Sequence, residues 1–145
     1  LHTVWINGKF RYTINRAFRK VIQNCKSITR KDQEGTWISE DVQNAYIRLH
    51  EAGYAHSAET WYNGELVGGL YGIRIGNVFF GESMFNTMSN ASKFAFLKYV
   101  DFLKKDKIAL IDCQVYTSHL ESLGARMIQR SKFIELVKLH TRSMT

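Results

Sequence analysis

The segment "AHSAETWYNGELVGGLYGI", residues 55–73, predicts two strands joined by a tight turn. Two segments rich in strand-forming residues flank the dipeptide Asn63-Gly64. Asparagine and glycine adopt a positive φ more easily than other residues, and a two-residue hairpin turn requires one. After a second turn at Gly76, the segment "NVFFG" at residues 77–81 continues the pattern. The sequence therefore predicts a meander of three antiparallel strands.

Helical patterns flank this meander on both sides. One amphipathic helix is predicted before it, because apolar residues recur at helical spacing at Ile14, Ala17, Phe18, Val21, Ile22 and Cys25. A second helix begins after the cap residue Ser39 and ends at Gly53, and a third begins near residue 90 and ends in a lysine cluster. The strand "IALIDCQV", residues 108–115, and a last helix around residues 133–137 follow. This order predicts an α+β domain with a mostly antiparallel sheet flanked by helices.

The composition bears on the number of domains, on membrane spans and on cysteine chemistry. With 145 residues, 45% of them hydrophobic, the chain suits one globular domain. No apolar run approaches the roughly 18 residues of a membrane span, and no secretory leader is recognised, so we expect a cytoplasmic protein without membrane contact. The two cysteines, Cys25 and Cys113, are far apart and have no histidine at ligand spacing. Neither a disulfide framework nor a metal site is therefore predicted.

Positive charge is concentrated at the start of the chain. The formal net charge is +7, and residues 1–31 contain no acid. Such a block attracts a polyanion, which suits nucleic acid phosphates, although a solvated basic helix face explains it equally well on charge alone. The basic residues of this segment are Lys9, Arg11, Arg16, Arg19, Lys20, Lys26, Arg30 and Lys31.

The order of the predicted elements resembles the GNAT (acyl-CoA N-acyltransferase-like) fold. That superfamily binds the coenzyme A pyrophosphate with a glycine-containing loop after its fourth strand, where backbone N–H groups meet the phosphates. The corresponding stretch here, "GESMFNTMSN" at residues 81–90, is predicted to be a loop with Gly81 as its only glycine. The negative charge of Glu82 would repel a phosphate there. A coenzyme A-dependent acyltransferase is therefore the alternative interpretation.

Six ordered blocks carry a closer resemblance. They are "EGTWIS" (34–39), "AYIRLHEAGYAHSAETW" (45–61), "LVGGLYG" (66–72), "GESMFN" (81–86), "NASK" (90–93) and "LIDCQV" with "HLESLGA" (110–125). Over about residues 11–133 the chain resembles the leucyl/phenylalanyl-tRNA–protein transferases. The resemblance implies transfer of leucine or phenylalanine from an aminoacyl-tRNA to a protein with N-terminal Arg or Lys, which marks that protein for degradation. It also implies a GNAT-like fold and no metal or other cofactor, since the aminoacyl-tRNA is a co-substrate.

The same resemblance bears on domain organisation. Residues 1–145 are expected to form the single catalytic domain, and the N-terminal domain of the family is expected to be absent. A non-catalytic remnant that only binds RNA or peptide is a further alternative. The basic residues of segment 1–31 become candidate tRNA contacts, and Trp37 is implied to receive the terminal adenosine, with a core tryptophan as the alternative.

The donor amino acid is apolar and needs an apolar cavity. The resemblance implies that its walls are Leu70, Phe79, Met84, Phe96, Tyr99, Leu103 and Ile111. Ordinary core packing is the alternative role of this set. Glu82 is implied to lie at the polar end of the cavity, where it accepts hydrogen bonds from the donor ammonium or holds the incoming basic N-terminus.

Two further polar residues are candidates for catalysis. Asp112 and Gln114 are two positions apart in a predicted strand, so they project to one face and Cys113 to the other. The resemblance implies that Gln114 contacts the attacking amine or the scissile carbonyl while Asp112 positions it. The alternative is a buried hydrogen-bonded pair that only joins strands. Cys113 lacks a partner imidazole and is not a candidate nucleophile.

Overall fold

The computed structural model describes residues 9–32 and 39–113. Their five strands form one sheet in the order β1-β2-β3-β4-β5; neighbouring strands are antiparallel except for the parallel pair β4 and β5. The predicted last helix lies outside the described residues. In chain order the elements are β1 (Arg11–Ile14), α1 (Phe18–Asp32), α2 (Glu40–Glu51), β2 (Ala55–Tyr62), β3 (Glu65–Ile75), β4 (Val78–Asn86), α3 (Ala91–Lys105) and β5 (Leu110–Cys113).

The predicted meander is confirmed. Asn63 and Gly64 join β2 to β3 with φ values of 51° and 81°, the two positive values that a tight hairpin turn needs. Gly76, with a φ of 58°, lies in the turn between β3 and β4. The predicted second helix also begins where expected, since the Ser39 side chain accepts a hydrogen bond from the Val42 backbone N–H at 3.1 Å.

Two differences from the prediction affect the position of the candidate site. Ile14 belongs to strand β1 rather than to the first helix, because Asn15 turns the chain with a φ of 57° and exchanges hydrogen bonds with Ser57 of β2. The stretch predicted to be a loop, residues 81–90, is strand as far as Asn86, since its backbone continues to pair with β3. The connection between β4 and α3 is therefore only residues 87–90.

Helices cover both faces of the sheet. Helices α1 and α2 pack on one face, the α1/α2 face, whose buried core includes Phe18, Val21, Ile22, Cys25, Ile47, Tyr71 and Phe85. Helix α3 packs on the other face, the α3 face, over a cluster that includes Ala58, Leu70, Phe79, Ala95, Tyr99 and Leu103. None of the three described helices is long and apolar enough to cross a membrane.

Candidate functional site

Where β4 pairs with β3, it contains one residue more than its partner, because residues 78–86 lie opposite residues 68–75. Tyr71 pairs with Ser83 and Gly72 pairs with Gly81, which leaves Glu82 unpaired as a β-bulge. In a regular strand, side chains alternate between the two faces, so residues an odd number of positions apart point in opposite directions. The extra residue reverses this alternation within β4. Side chains before and after the bulge that would otherwise be separated by the sheet therefore share a face.

The bulge brings Phe79 and Met84 to the same face. Phe79 belongs to the buried cluster under α3, and Met84 lies directly opposite Leu70 of the same cluster. Residues directly opposite in an antiparallel pair project to one face. Glycine at position 72 leaves room for the Phe79 ring, because a Cβ atom there would lie 2.5 Å from its Cζ atom.

All seven candidates for the donor cavity lie on the α3 face. Leu70, Phe79, Tyr99 and Leu103 are buried in one cluster, and the half-buried Phe96 and Ile111 pack against it. The Phe79 and Tyr99 rings meet edge to face with centroids 5.0 Å apart. Met84 is 38% exposed, so it is the member of this set that is most open to a ligand.

Glu82 projects to the opposite face. Its carboxylate lies beside Tyr46 of α2 and interacts electrostatically with Tyr71, both of which belong to the α1/α2 core. Burial of the Tyr46 phenol, together with the adjacent Glu82 charge, raises the pKa of Tyr46 to about 12. Burial raises the pKa of Tyr71 as well, with smaller effects of Cys25, Tyr46 and Glu82. Glu82 is thus next to the apolar set in sequence but separated from it by the sheet.

Asp112 lies on the same face as Glu82. In the parallel pair of β4 and β5, Phe79 is opposite Ile111 and Phe80 is opposite Asp112. Because Ile111 packs on the α3 face, alternation directs the half-buried Asp112 to the α1/α2 face. The described pairing of the two strands ends at Gly81 and Cys113, immediately before Glu82. Gln114 and Trp37 lie outside the described residues.

A pocket of about 660 Å³ opens beside β1 and the β2–β3 turn. Three of the predicted tRNA contacts line it, together with the aromatic Trp61, which the sequence prediction did not include. Within the described residues, none of its three cations forms an ion pair. The lining residues are Lys9, Arg11, Thr13, Arg16, Trp61, Asn63 and Gly64.

The remaining predicted cations lie along α1. The Arg19 guanidinium is 3.8 Å from the Glu51 carboxylate, and both side chains are exposed. The Lys26 ammonium is 2.9 Å from Glu40 and therefore joins α1 to the start of α2. Lys20 is exposed, while Arg30 and Lys31 lie within the bounds of α1 but their side chains are outside the described set. The helix thus carries both solvated cations and cations that join helices.

A buried carboxylate lies beneath the pocket. Glu59 of β2 is completely buried and accepts hydrogen bonds from the Thr13 hydroxyl at 2.6 Å and from the Ser57 hydroxyl. The backbone N–H groups of Arg16 and Ala17, at 3.2 and 3.3 Å, also donate to it. Sequence reasoning missed this residue, because its partners Thr13, Arg16 and Ala17 are more than 40 positions away in the chain.

The chain is similar to known proteins both in sequence and in fold. The sequence model of a family described as leucyl/phenylalanyl-tRNA protein transferase matches residues 1–138. A relative from Flavobacterium johnsoniae named "Leucyl/phenylalanyl-tRNA--protein transferase" is 54% identical over 129 residues, which are 89% of this chain and 61% of the relative. One of the same name from Syntrophus aciditrophicus is 53% identical over 136 residues, covering 94% and 57%. The chain spans about six-tenths of the length of these relatives.

Solved structures share the fold at low sequence identity. An aminoglycoside acetyltransferase from an uncultured soil metagenomic sample, in complex with sisomicin, superposes with a TM-score of 0.64 at 10% identity, over 86% of this chain and 93% of its own. A predicted acetyltransferase with acetyl-CoA from Clostridium acetobutylicum gives 0.63 at 10% identity, over 83% and 92%. The predicted GNAT-like α+β fold is therefore confirmed.

Proposed function

Because this chain belongs to the leucyl/phenylalanyl-tRNA protein transferase family, we propose that it transfers leucine or phenylalanine from an aminoacyl-tRNA to a protein. The acceptor is the α-amino group of an N-terminal Arg or Lys, and the modification marks the acceptor protein for degradation. The catalytic machinery lies in the single domain formed by residues 1–145. Since aminoacyl-tRNA is a cytoplasmic substrate, the reaction takes place in the cytoplasm.

The observation that carries this proposal is the division of side chains around the bulge at Glu82. Apolar candidates occupy the α3 face, whereas the carboxylates of Glu82 and Asp112 project to the α1/α2 face. An aminoacyl ester has the same division, because its apolar side chain and its polar amine are both attached to the same carbon atom. In this proposal, the donor lies at the bulge and directs its side chain toward Met84 and its ammonium toward Glu82.

The chemistry requires little activation. The ester to tRNA is already reactive, and an α-amino group with a pKa of roughly 7.7 to 8.0 is partly neutral at physiological pH. Its nitrogen attacks the ester carbonyl, an amide bond forms and the bond to the ribose oxygen breaks. One proton moves from the amine to the departing ribose oxygen, which leaves as a hydroxyl group. The protein must therefore bring the two substrates together and guide one proton.

Asp112 and Gln114 are proposed to orient the attacking amine. Alternation along β5 directs Asp112 to the face that also receives Glu82, so both carboxylates are available to a cationic or hydrogen-donating group. An amine that donates to these groups points its lone pair away from them and toward the carbonyl carbon. Glu82 holds the donor ammonium or the basic N-terminus of the acceptor.

The tRNA is proposed to contact the basic surface formed by the start of the chain. Arg16 and Lys20 are exposed, and Arg19 is only loosely paired at 3.8 Å. Such contacts to phosphates position an RNA without reading its sequence. Trp37 is proposed to stack on the terminal adenosine. The remaining proposed contacts of this surface are Lys9, Arg11, Lys26, Arg30 and Lys31.

No coenzyme A or metal is required by this proposal. The alternative of a coenzyme A-dependent acyltransferase draws support from the fold shared with acetyltransferases. Against it, the connection between β4 and α3 at residues 87–90 contains no glycine that would bring backbone N–H groups close to a pyrophosphate. Among residues 9–32 and 39–113, no group of three metal-binding side chains is placed to hold an ion.

The test is transfer of radiolabelled leucine from leucyl-tRNA to a peptide that begins with Arg. We expect labelled peptide without added coenzyme A, and none with a matched peptide that begins with Glu. A melting temperature raised by a leucyl-adenosine analogue but not by coenzyme A would separate the two enzyme classes. Binding of tRNA and peptide without any transfer would instead support the non-catalytic alternative.

A further inference from the structure

The pocket lined by Lys9, Arg11, Arg16 and Trp61 is separate from the donor site around Glu82. It lies beside β1, at the opposite edge of the sheet from β5. We propose that it binds one unpaired nucleotide of an RNA, with the base stacked on Trp61 and a flanking phosphate held by the arginines. This inference rests on the proposed function, because it gives the tRNA a second point of contact away from the aminoacyl ester.

The polar edge of the Trp61 indole is already engaged within the protein, while the residue lines the pocket. Its Nε1–H donates to the Thr13 hydroxyl oxygen at 2.7 Å, and the Thr13 hydroxyl in turn donates to Glu59 at 2.6 Å. The indole donor is therefore already engaged within the protein. In the proposed complex, a base stacks on the indole ring, and such stacking does not select a base sequence.

The cations are arranged around that ring. Arg11 is the cross-strand partner of Trp61, so both side chains leave the sheet on the same face. Arg16 lies beyond the other end of β1, where its backbone N–H is held by the Glu59 carboxylate at 3.2 Å. Glu59 thus fixes both the Thr13–Trp61 pair and the chain at Arg16. The pocket carries a net positive charge, because three cationic side chains line it and Glu59 supplies one buried negative charge.

A nucleotide matches these features together. Its phosphate suits a guanidinium, which donates two parallel hydrogen bonds, and its base suits the indole face. The pocket volume of about 660 Å³ is within the usual range for small-molecule sites of roughly 300 to 1,000 Å³. An acidic peptide would satisfy the cations but would leave the aromatic ring without a flat partner.

Binding of a fluorescent single-stranded adenosine hexanucleotide tests the inference. The variants are Trp61→Leu, which removes the ring, Trp61→Phe, which retains a smaller one, and Arg11→Gln, an exposed position whose change spares the core. Lys104→Gln, in the last turn of α3, is the control for removal of one positive charge. Melting curves and an acidic peptide of equal length accompany each titration.

We expect Trp61→Leu to weaken hexanucleotide binding by about 5- to 150-fold and Trp61→Phe to weaken it less. For Arg11→Gln, the slope of log affinity against log salt concentration should become shallower by roughly 0.7 for each single-strand phosphate that the variant no longer neutralises. Lys104→Gln should change neither the affinity nor this slope. Folded variants with parental affinity and slope would overturn the inference. Equal or tighter binding of the acidic peptide through the same residues would also overturn it.

Leucine transfer by the parent protein is measured separately. If the parent transfers leucine but the pocket variants bind the hexanucleotide normally, the inference fails while the proposed function stands. If the pocket variants lose hexanucleotide binding but the parent transfers nothing, the pocket is supported and the proposed function fails.

Discussion

Phe79 and Met84 project from the same face of the sheet although five positions separate them, because Glu82 forms a bulge between them. The same bulge directs the Glu82 carboxylate to the opposite face, beside Tyr46. One inserted residue therefore produces an apolar side and an acidic side within a single strand. In the proposed function, this division matches the apolar side chain and the polar amine of an aminoacyl ester.

The apolar side is examined through Phe96, which packs half-buried against the cluster under α3. Phe96→Ala enlarges the space beside this cluster, so we expect the preference between leucine and phenylalanine donors to shift by at least about tenfold, as differences in pocket size commonly do. Competition between the two charged tRNAs in one transfer assay measures the shift. Tyr54→Ala, which removes an aromatic ring at an exposed position, is the control. Unchanged selectivity and rate in folded Phe96→Ala would count against the cavity assignment.

The acidic side is examined through Asp112. Asp112→Asn preserves the shape of the side chain but removes its charge, and we expect single-turnover transfer to fall by about 10- to 1,000-fold. Gln114→Ala should cost a similar factor, and the double variant should cost little more, because the two residues would act as one unit. Asp101→Asn, an exposed acid of α3, is the control. A parental rate in well-folded Asp112→Asn would assign the residue a structural role.

The basic surface is examined by neutralising Arg16, Arg19 and Lys20 to glutamine. Glutamine is preferable to glutamate at position 19, since a second acid there would face Glu51. We expect weaker tRNA binding and a slope of log affinity against log salt that is shallower by about 0.9 for each duplex phosphate that the variant no longer neutralises. The matched control neutralises Lys104, Lys105 and Lys107, at and just after the end of α3. Equal slopes for the parent and the α1 variant would remove this surface from the interface.

The raised pKa of Tyr46 predicts that the folded protein loses stability at alkaline pH. The folded protein has a Tyr46 pKa of about 12 against an ordinary 10.0, so the unfolded chain loses this proton first as the pH rises. The stability linked to this tyrosine is therefore fully present below about pH 10 and is lost as the pH rises toward 12. The urea midpoint should fall over this window, and should fall less in Tyr46→Phe than in the exposed control Tyr54→Phe. An identical fall in both variants would contradict the assigned environment.

Sequence reasoning predicted the features that depend on neighbouring residues. The hairpin at Asn63-Gly64 follows from two residues that tolerate a positive φ, and the cap at Ser39 follows from a side chain that reaches Val42. The apolar set from Leu70 to Ile111 was also predicted together, through resemblance to the family, and the structure gathers it on one face.

Features that depend on distant pairing were missed. The bulge at Glu82 exists only because β4 pairs with β3 in a shifted register, so the sequence of β4 alone reads as a strand followed by a loop. The Glu59 network joins residues more than 40 positions apart in sequence, namely Thr13, Arg16 and Ala17 on one side and Glu59 on the other. Strand β1 was not predicted, because Ile14 also fits the helical spacing of Phe18 and Val21.

Nuclear magnetic resonance of the protein with a non-hydrolysable leucyl-adenosine analogue, labelled in its leucine methyl groups, locates the bound donor relative to the bulge at Glu82. If the bulge divides the site as proposed, the leucine methyls should give cross-peaks to the Met84 methyl group. The Glu82 carboxyl carbon should shift in the same titration, while the carboxyl carbon of exposed Glu65 stays unchanged. Saturable binding with no cross-peak to Met84 and no shift at Glu82 would contradict this division of the site.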